Sequence, residues 1–243
     1  NFKRAERIGS TGVDEANATT TDNAGNVYIT GGFSATVDFN PGAAIATITS
    51  LGETDIFILK LDGSGKLIWV KRMGGNWSER GLAIAVDARG NILTTGWFIG
   101  MPDFDPGAGK FNIISMNNTD IYISKLDNSG NFVWARGFGG LGEDRGYSIA
   151  IDAMGSVYTT GIFDTFVDFD PGPDTFTLLS AGFHDIFVLK LDSMARFGWA
   201  KRWDRPQVMI MGFHLHWTVR LMYILLDGFR EVQILIRVMA YLI

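Results

Sequence analysis

One feature constrains this chain more than any other: it repeats itself. Three segments align without gaps, NVYITGGFSATVDFNPG from Asn26, NILTTGWFIGMPDFDPG from Asn91 and SVYTTGIFDTFVDFDPG from Ser156, each 65 residues after the last. DIFILKLDGSG, DIYISKLDNSG and DIFVLKLDSMA begin at Asp55, Asp120 and Asp185, and KLIWVKRMGG, NFVWARGFGG and the weaker RFGWAKRW begin at Lys66, Asn131 and Arg196. A fixed period of this length marks a row of like units that stack on one another. The chain divides into repeats at 1–65, 66–130 and 131–195, with a fourth starting at 196. The first residues, Asn1 to Arg7, already lie in phase with the later repeats, so the chain is expected to continue upstream.

Each repeat reads as antiparallel strands joined by tight turns. The turns are D-x-x-G: Asp62 to Gly65, Asp87 to Gly90, Asp127 to Gly130 and Asp152 to Gly155. The Asp accepts backbone N–H groups two residues on, and the Gly supplies a positive φ. About four strands result, with TFTLLS (175–180) as a short fifth strand or an ordered loop. In DIFVLKL, Phe187, Leu189 and Leu191 point one way while Ile186 and Val188 point the other. A sheet half in water would alternate apolar and polar, so apolar residues on both faces call for a sheet covered on both sides. Small sheets of that kind stack radially as the blades of a β-propeller. A parallel solenoid would lack the D-x-x-G hairpins, and an immunoglobulin-like sandwich would show polar outer faces. The expectation is an all-β propeller fragment of four-stranded antiparallel blades.

The strings DIFVLKLD, NFVWARGFGG, GYSIAIDAMGSVYTTGIF and VDFDPG resemble the bacterial SBBP repeat, the seven-bladed β-propeller family, over about the first 200 residues. The VDFDPG segment and the stretch after it make this repeat longer than the common form. The resemblance implies a secreted or cell-surface bacterial protein, an extracellular or cell-surface location, no catalytic residues, and neighbouring blades in a longer parent chain.

From about Trp203 the pattern vanishes. The apolar run 209–229 is interrupted by His214, His216, Arg220 and Asp227, which argues against a membrane span. A frameshifted fourth repeat explains the tail better. Read one base out of phase, the pairs Met209-Ile210, Met211-Gly212, Trp217-Thr218 and Met222-Tyr223 are forced to encode Asp, Gly, Asp and Val. Those are the residues at Asp144, Gly146, Asp152 and Val157 of the third repeat. Leu221 alone cannot decode to the expected turn Gly. The slip is placed at 203–208, and no function is read from the translated tail.

Composition narrows the function. The net charge is −5, without the basic field that nucleic acid requires, and cysteine is absent, which excludes disulfides and thiolate metal sites. No nucleophile elbow, zinc-binding helix pair or phosphate loop is present. In the D-F-[DN]-P-G loops, Asp38 with Asn40, Asp103 with Asp105 and Asp168 with Asp170 offer oxygen ligands to Ca²⁺; the same residues are suited to capping backbone N–H groups. No other cofactor is expected. Glu79, Glu143 and Asp144 read as solvated loop charges. Trp69, Trp134 and Trp199 recur and are assigned to packing between blades, whereas Trp77 and Trp97 do not recur and are candidates for binding a ligand. The expected function is a non-enzymatic scaffold that presents loops to a protein or glycan. The alternatives are a propeller enzyme, a lyase or hydrolase with its site elsewhere, and a purely structural module.

Overall fold

The computed structural model describes residues 7–40 and 42–203. The first sheet takes β1 (Asp14–Thr21) and β2 (Val27–Phe33). After a small ribbon of β3 (Thr36–Asp38) and β4 (Thr47–Thr49), it takes β5 (Asp55–Leu61) and β6 (Leu67–Met73). The second holds β7 (Glu79–Val86), β8 (Ile92–Phe98), β9 (Asp120–Leu126) and β10 (Phe132–Phe138). The third holds β11 (Arg145–Ile151) and β12 (Val157–Phe163), then a ribbon of β13 (Phe166–Asp168) and β14 (Thr177–Leu179), then β15 (Asp185–Leu191) and β16 (Phe197–Trp203). All three sheets run in strict sequence order and are antiparallel. Each opens 13 or 14 residues after the boundary read from the sequence, so the last strand of each sheet, β6, β10 or β16, falls in the following sequence repeat. TFTLLS is neither a fifth blade strand nor a loop: it contributes β14 to a separate ribbon. The call of a frameshifted fourth repeat concerns residues beyond 203, which lie outside the described residues.

The same local devices recur in each sheet. At five of the D-x-x-G turns the Gly N–H closes onto the Asp carbonyl and the Gly adopts a φ near +80°. The sixth, Asp192 to Ala195, holds Ala195 in that region instead, at +62°. The first strand of every sheet carries a bulge at an equivalent place, after Ala16, Gly81 and Gly146. The bulge drives a carbonyl toward the neighbouring strand, which explains the Thr-Gly pairs there. A Cβ on Gly96 would lie 1.9 Å from Arg80 O, a position only glycine can hold. The preceding threonine hydroxyls bond inward, Thr30 to Phe57 O at 2.9 Å and Thr95 to Tyr122 O at 2.7 Å.

The first strands β1, β7 and β11 lie side by side, and each sheet lays its β7-type edge across the face of the sheet before it. Two of the three core clusters therefore sit in the seams, and the third, around Phe33, Phe39 and Phe57, belongs to the first sheet and its ribbon. Between the first two sheets, Tyr28, Ile56 and Ile58 meet Phe98, Phe104 and Tyr122. Between the second and third, Ile121, Ile123 and Trp134 meet Phe163, Phe169 and Phe187. Strand β9, in the middle sheet, is buried along its whole length. This is the two-sided covering expected of blades, and Phe187, Leu189 and Leu191 share one cluster as the alternation required.

Candidate binding surface

The sheets have two unlike ends. At the turn end, each D-x-x-G aspartate accepts two backbone N–H groups, as Asp87 does from Arg89 at 2.8 Å and Asn91 at 2.9 Å. The recurrent tryptophans also act here. Trp69 Nε1 donates to Asn128 O of the next sheet's turn at 3.3 Å, and Trp134 Nε1 to Ser193 O at the same distance. Trp199 packs edge-on against Tyr158. Lys60, 5% exposed, reaches across the first seam to the same Asn128 carbonyl at 3.3 Å, with its ammonium over the Tyr28 ring. An open groove of about 440 Å³ separates the turns of the first two sheets, lined by Asp22, Asp87, Arg89 and Asn128 among others.

The D-F-[DN]-P-G loops form nested turns. Asp38 Oδ1 accepts Asn40 N at 3.0 Å and Ala46 N at 2.9 Å, and Asn40 Oδ1 accepts Gly42 N at 2.8 Å. The Ala46 and Asn40 N–H groups hold the Asp38 carboxyl below its usual range. Asp103 bonds Asp105 N and Phe111 N, and Asp105 bonds Gly107 N. Asp168 bonds Asp170 N and Phe176 N, and Asp170 bonds Gly172 N. Each turn aims its phenylalanine inward: Phe39, Phe104 and Phe169 are fully buried, 4.9–5.0 Å from the ring of Phe57, Tyr122 or Phe187. Capping is thus the role the geometry accounts for. Among the described residues, no three His, Asp or Glu side chains gather closely enough to hold a metal ion.

The opposite end carries the loops that differ between repeats. Glu53 N donates to Trp77 O at 3.1 Å, Ile99 N to Ser78 O at 3.2 Å, and Ser115 N to Gly100 O at 2.8 Å. These three bonds tie four segments together, and on them stand Leu51, Trp77, Met101, Ile114 and Met116, all 56–70% exposed. Trp77 lies over Gly100, whose φ of +77° and missing Cβ make room for the indole. Exposed large apolar side chains grouped in this way mark an interaction surface. Trp97 differs: it is half-buried in β8, and the Arg145 guanidinium stands 5.5 Å from its ring, so one face is already covered. The sequence points to Trp77 but misses its four neighbours, because they come from segments that only the folded straps bring together.

Glu79 and Asp144 correct the reading from sequence. Neither is a solvated loop charge; both are 0% exposed at the seams, with Asp55 and Asp120 beside them. A signal was present: an acid recurs five residues after Gly9, Gly74 and Gly139, at Asp14, Glu79 and Asp144. Glu143 is half-exposed and pairs with Arg145 and, at 3.3 Å, with His184.

No known family model matches the chain, so the resemblance to the SBBP repeat is not carried at that level. The chain is 28% identical over 137 residues to the regulatory protein FlaEY of Caulobacter vibrioides, a match covering 56% of this chain and 14% of that protein. It is 25% identical over 211 residues to an uncharacterized WD repeat-containing protein of Acanthamoeba polyphaga mimivirus, covering 76% of this chain and 15% of that one. The chain thus spans only 14–15% of the length of either relative. With its stacked four-stranded sheets and a WD repeat-containing relative, the chain is similar to propeller-like repeat proteins.

Proposed function

We propose that the chain is a non-enzymatic interaction scaffold that docks a protein partner through its loop end, with Trp77 as the anchor. The observation that carries this is the exposed group of Leu51, Trp77, Met101, Ile114 and Met116 on four segments joined in a row by backbone bonds. Tryptophan and methionine are enriched at protein interfaces, and a central aromatic commonly supplies most of the binding energy. The group is aliphatic around a single indole, which suits a protein surface better than a glycan; sugars are gripped by flat aromatics with polar groups beside them. The relatives, a regulatory protein and a WD repeat-containing protein, agree with a mediating role. An extracellular or cell-surface location, further blades in a parent chain and Ca²⁺ at Asp38, Asn40, Asp103, Asp105, Asp168 and Asp170 belong to the same proposal.

Protein and glycan arrays probed with the wild-type chain and with Trp77→Ala test it. Protein hits that the variant loses are expected. Hits confined to glycans, or hits that the variant retains in full, overturn the reading. A chelator that leaves the melting temperature unchanged removes the calcium element, and immunodetection only inside intact cells removes the surface location.

A further inference from the structure

Two buried carboxyl groups meet at each seam, one from either sheet. At the first, Asp55 opens β5 and Glu79 opens β7, and neither has any exposed surface. Glu79 N donates to Thr54 O at 2.9 Å, so the acids stand on directly bridged stretches of backbone. Gly74 and Gly75 close over them. A Cβ on Gly74 would fall 2.5 Å from Asp55 Cγ, and Gly75 N donates to Glu79 Oε2 at 3.1 Å. Asp55 Oδ1 and Glu79 Oε1 are left without a hydrogen-bond partner.

The second seam repeats the arrangement. Asp144 N donates to Thr119 O at 2.8 Å, Gly140 N to Asp144 Oδ2 at 2.8 Å, and a Cβ on Gly139 would fall 2.1 Å from Asp120 Cγ. Here Asp120 Oδ1 and Thr119 Oγ1 lack partners.

One ion pair reaches Asp55, and among the described residues none reaches Glu79, Asp120 or Asp144. At the first seam, Arg72 Nε stands 3.5 Å from Asp55 with its side chain 31% exposed, Arg80 is engaged with Glu15, and Glu53 accepts from Ser78. At the second, Gly137 occupies the place of Arg72, and Arg145 and His184 are turned to Glu143. Asp164 adds negative potential there while its N–H donates to Asp144 Oδ1 at 2.9 Å. Two ionised carboxylates in one water-excluded seam repel, and a proton kept by either of them removes the repulsion.

We propose that each seam is closed by a pair of buried carboxyl groups that keeps a proton, so that loss of the proton loosens one sheet from the next. The electrostatics agree. Burial pushes Glu79 up to about 8, Asp144 to about 7 and Asp120 to about 6, and raises Asp55 as well; the neighbouring acid adds to the rise at Glu79 and Asp144. With folded values above the ordinary ones near 4, the folded chain binds more protons than the unfolded chain. The seam contribution is therefore complete below about pH 4, declines as pH rises toward about 8, and changes little beyond.

Thermal unfolding between about pH 5 and pH 9 tests this, in EDTA and, as a separate series without EDTA, in Ca²⁺ or Mg²⁺. The wild-type melting temperature is expected to fall by about 5 °C or more across that range. The Glu79→Gln/Asp144→Asn double variant is expected to give a markedly shallower profile, with only the decline from Asp55 and Asp120 left, and to melt above wild type at the alkaline end. A histidine can also change charge in this interval, so His184→Gln is the control and keeps the wild-type slope. The infrared spectrum of the wild-type chain near neutral pH needs no variant: it should show the carbonyl band of a buried, protonated carboxyl group. A flat wild-type profile, the full wild-type slope retained by the double variant, absence of that band, or a fall abolished by Ca²⁺ or Mg²⁺ would each overturn the proposal, the last by making the pair a cation site.

Discussion

At one end of the sheets aspartates sit in turns; at the other they sit in seams, and the same side chain behaves in opposite ways. Asp22, Asp62, Asp87, Asp127, Asp152 and Asp192 each accept the N–H groups two and four residues on, and all lie below the usual carboxylate range. The Asn131 backbone N–H is the largest influence on Asp127; at Asp87 burial pulls upward and the bonds from Asn91 and Arg89 outweigh it. Asp55, Asp120 and Asp144 have fewer donors and more burial, and they are pushed up. A carboxylate surrounded by donors stays charged; one placed between apolar sheets takes up a proton.

The strongest way to sharpen this contrast is to empty the seam. Phe104 is fully buried and packs 5.0 Å from the Tyr122 ring, so Phe104→Ala should cost about 3–5 kcal/mol in denaturant unfolding. It should also shrink the alkaline decline, because a wetter seam raises the carboxyl groups less. At the turn end, Asp152→Ala removes the acceptor of Met154 N and Ser156 N and should cost about 1–2 kcal/mol near neutral pH. Its pKa is lowered, so its contribution is present above the ordinary value near 4 and is lost as pH falls below it. The variant's stability curve should therefore converge on the wild type in acid. Asp120→Asn should act in the other direction and stabilise by up to about 1 kcal/mol at alkaline pH, since it removes a buried like-charge pair; a loss as large as that of Asp152→Ala would break the comparison. Smallest is Trp77→Ala, expected within about 0.5 kcal/mol of wild type while abolishing partner capture.

Much of this is readable from the sequence because repetition exposes structural roles. An Asp found four times before Gly at one spacing has to serve the turn, and Trp69 and Trp134 have to serve a contact made once per repeat; both do. The alternation in Asp185–Leu191 implies the seams. Periodicity does not report which exposed loops approach one another, so the group around Trp77 stays hidden. Nor does an acid next to an arginine reveal which of the two is buried. Arg80 turns to Glu15 while Glu79 enters the seam, a choice set by the Gly74-Gly75 crossing above it. The stretches that follow Phe39 and Phe169 pair back on β3 and β13 as ribbons, and each ribbon delivers a phenylalanine to the core, a role that the sequence pattern does not announce.

Stacking of the sheets underlies all of these statements, and the absence of cysteine permits a clean test of it. A Cβ built on Gly81 lies 3.3 Å from Thr30 Cβ across the first seam, close to the span of a disulfide. The Thr30→Cys/Gly81→Cys chain, oxidised while folded, should form that single crosslink and leave no thiol for a maleimide. Two freely reactive thiols in a chain with an intact β spectrum would show that the sheets do not lie against each other.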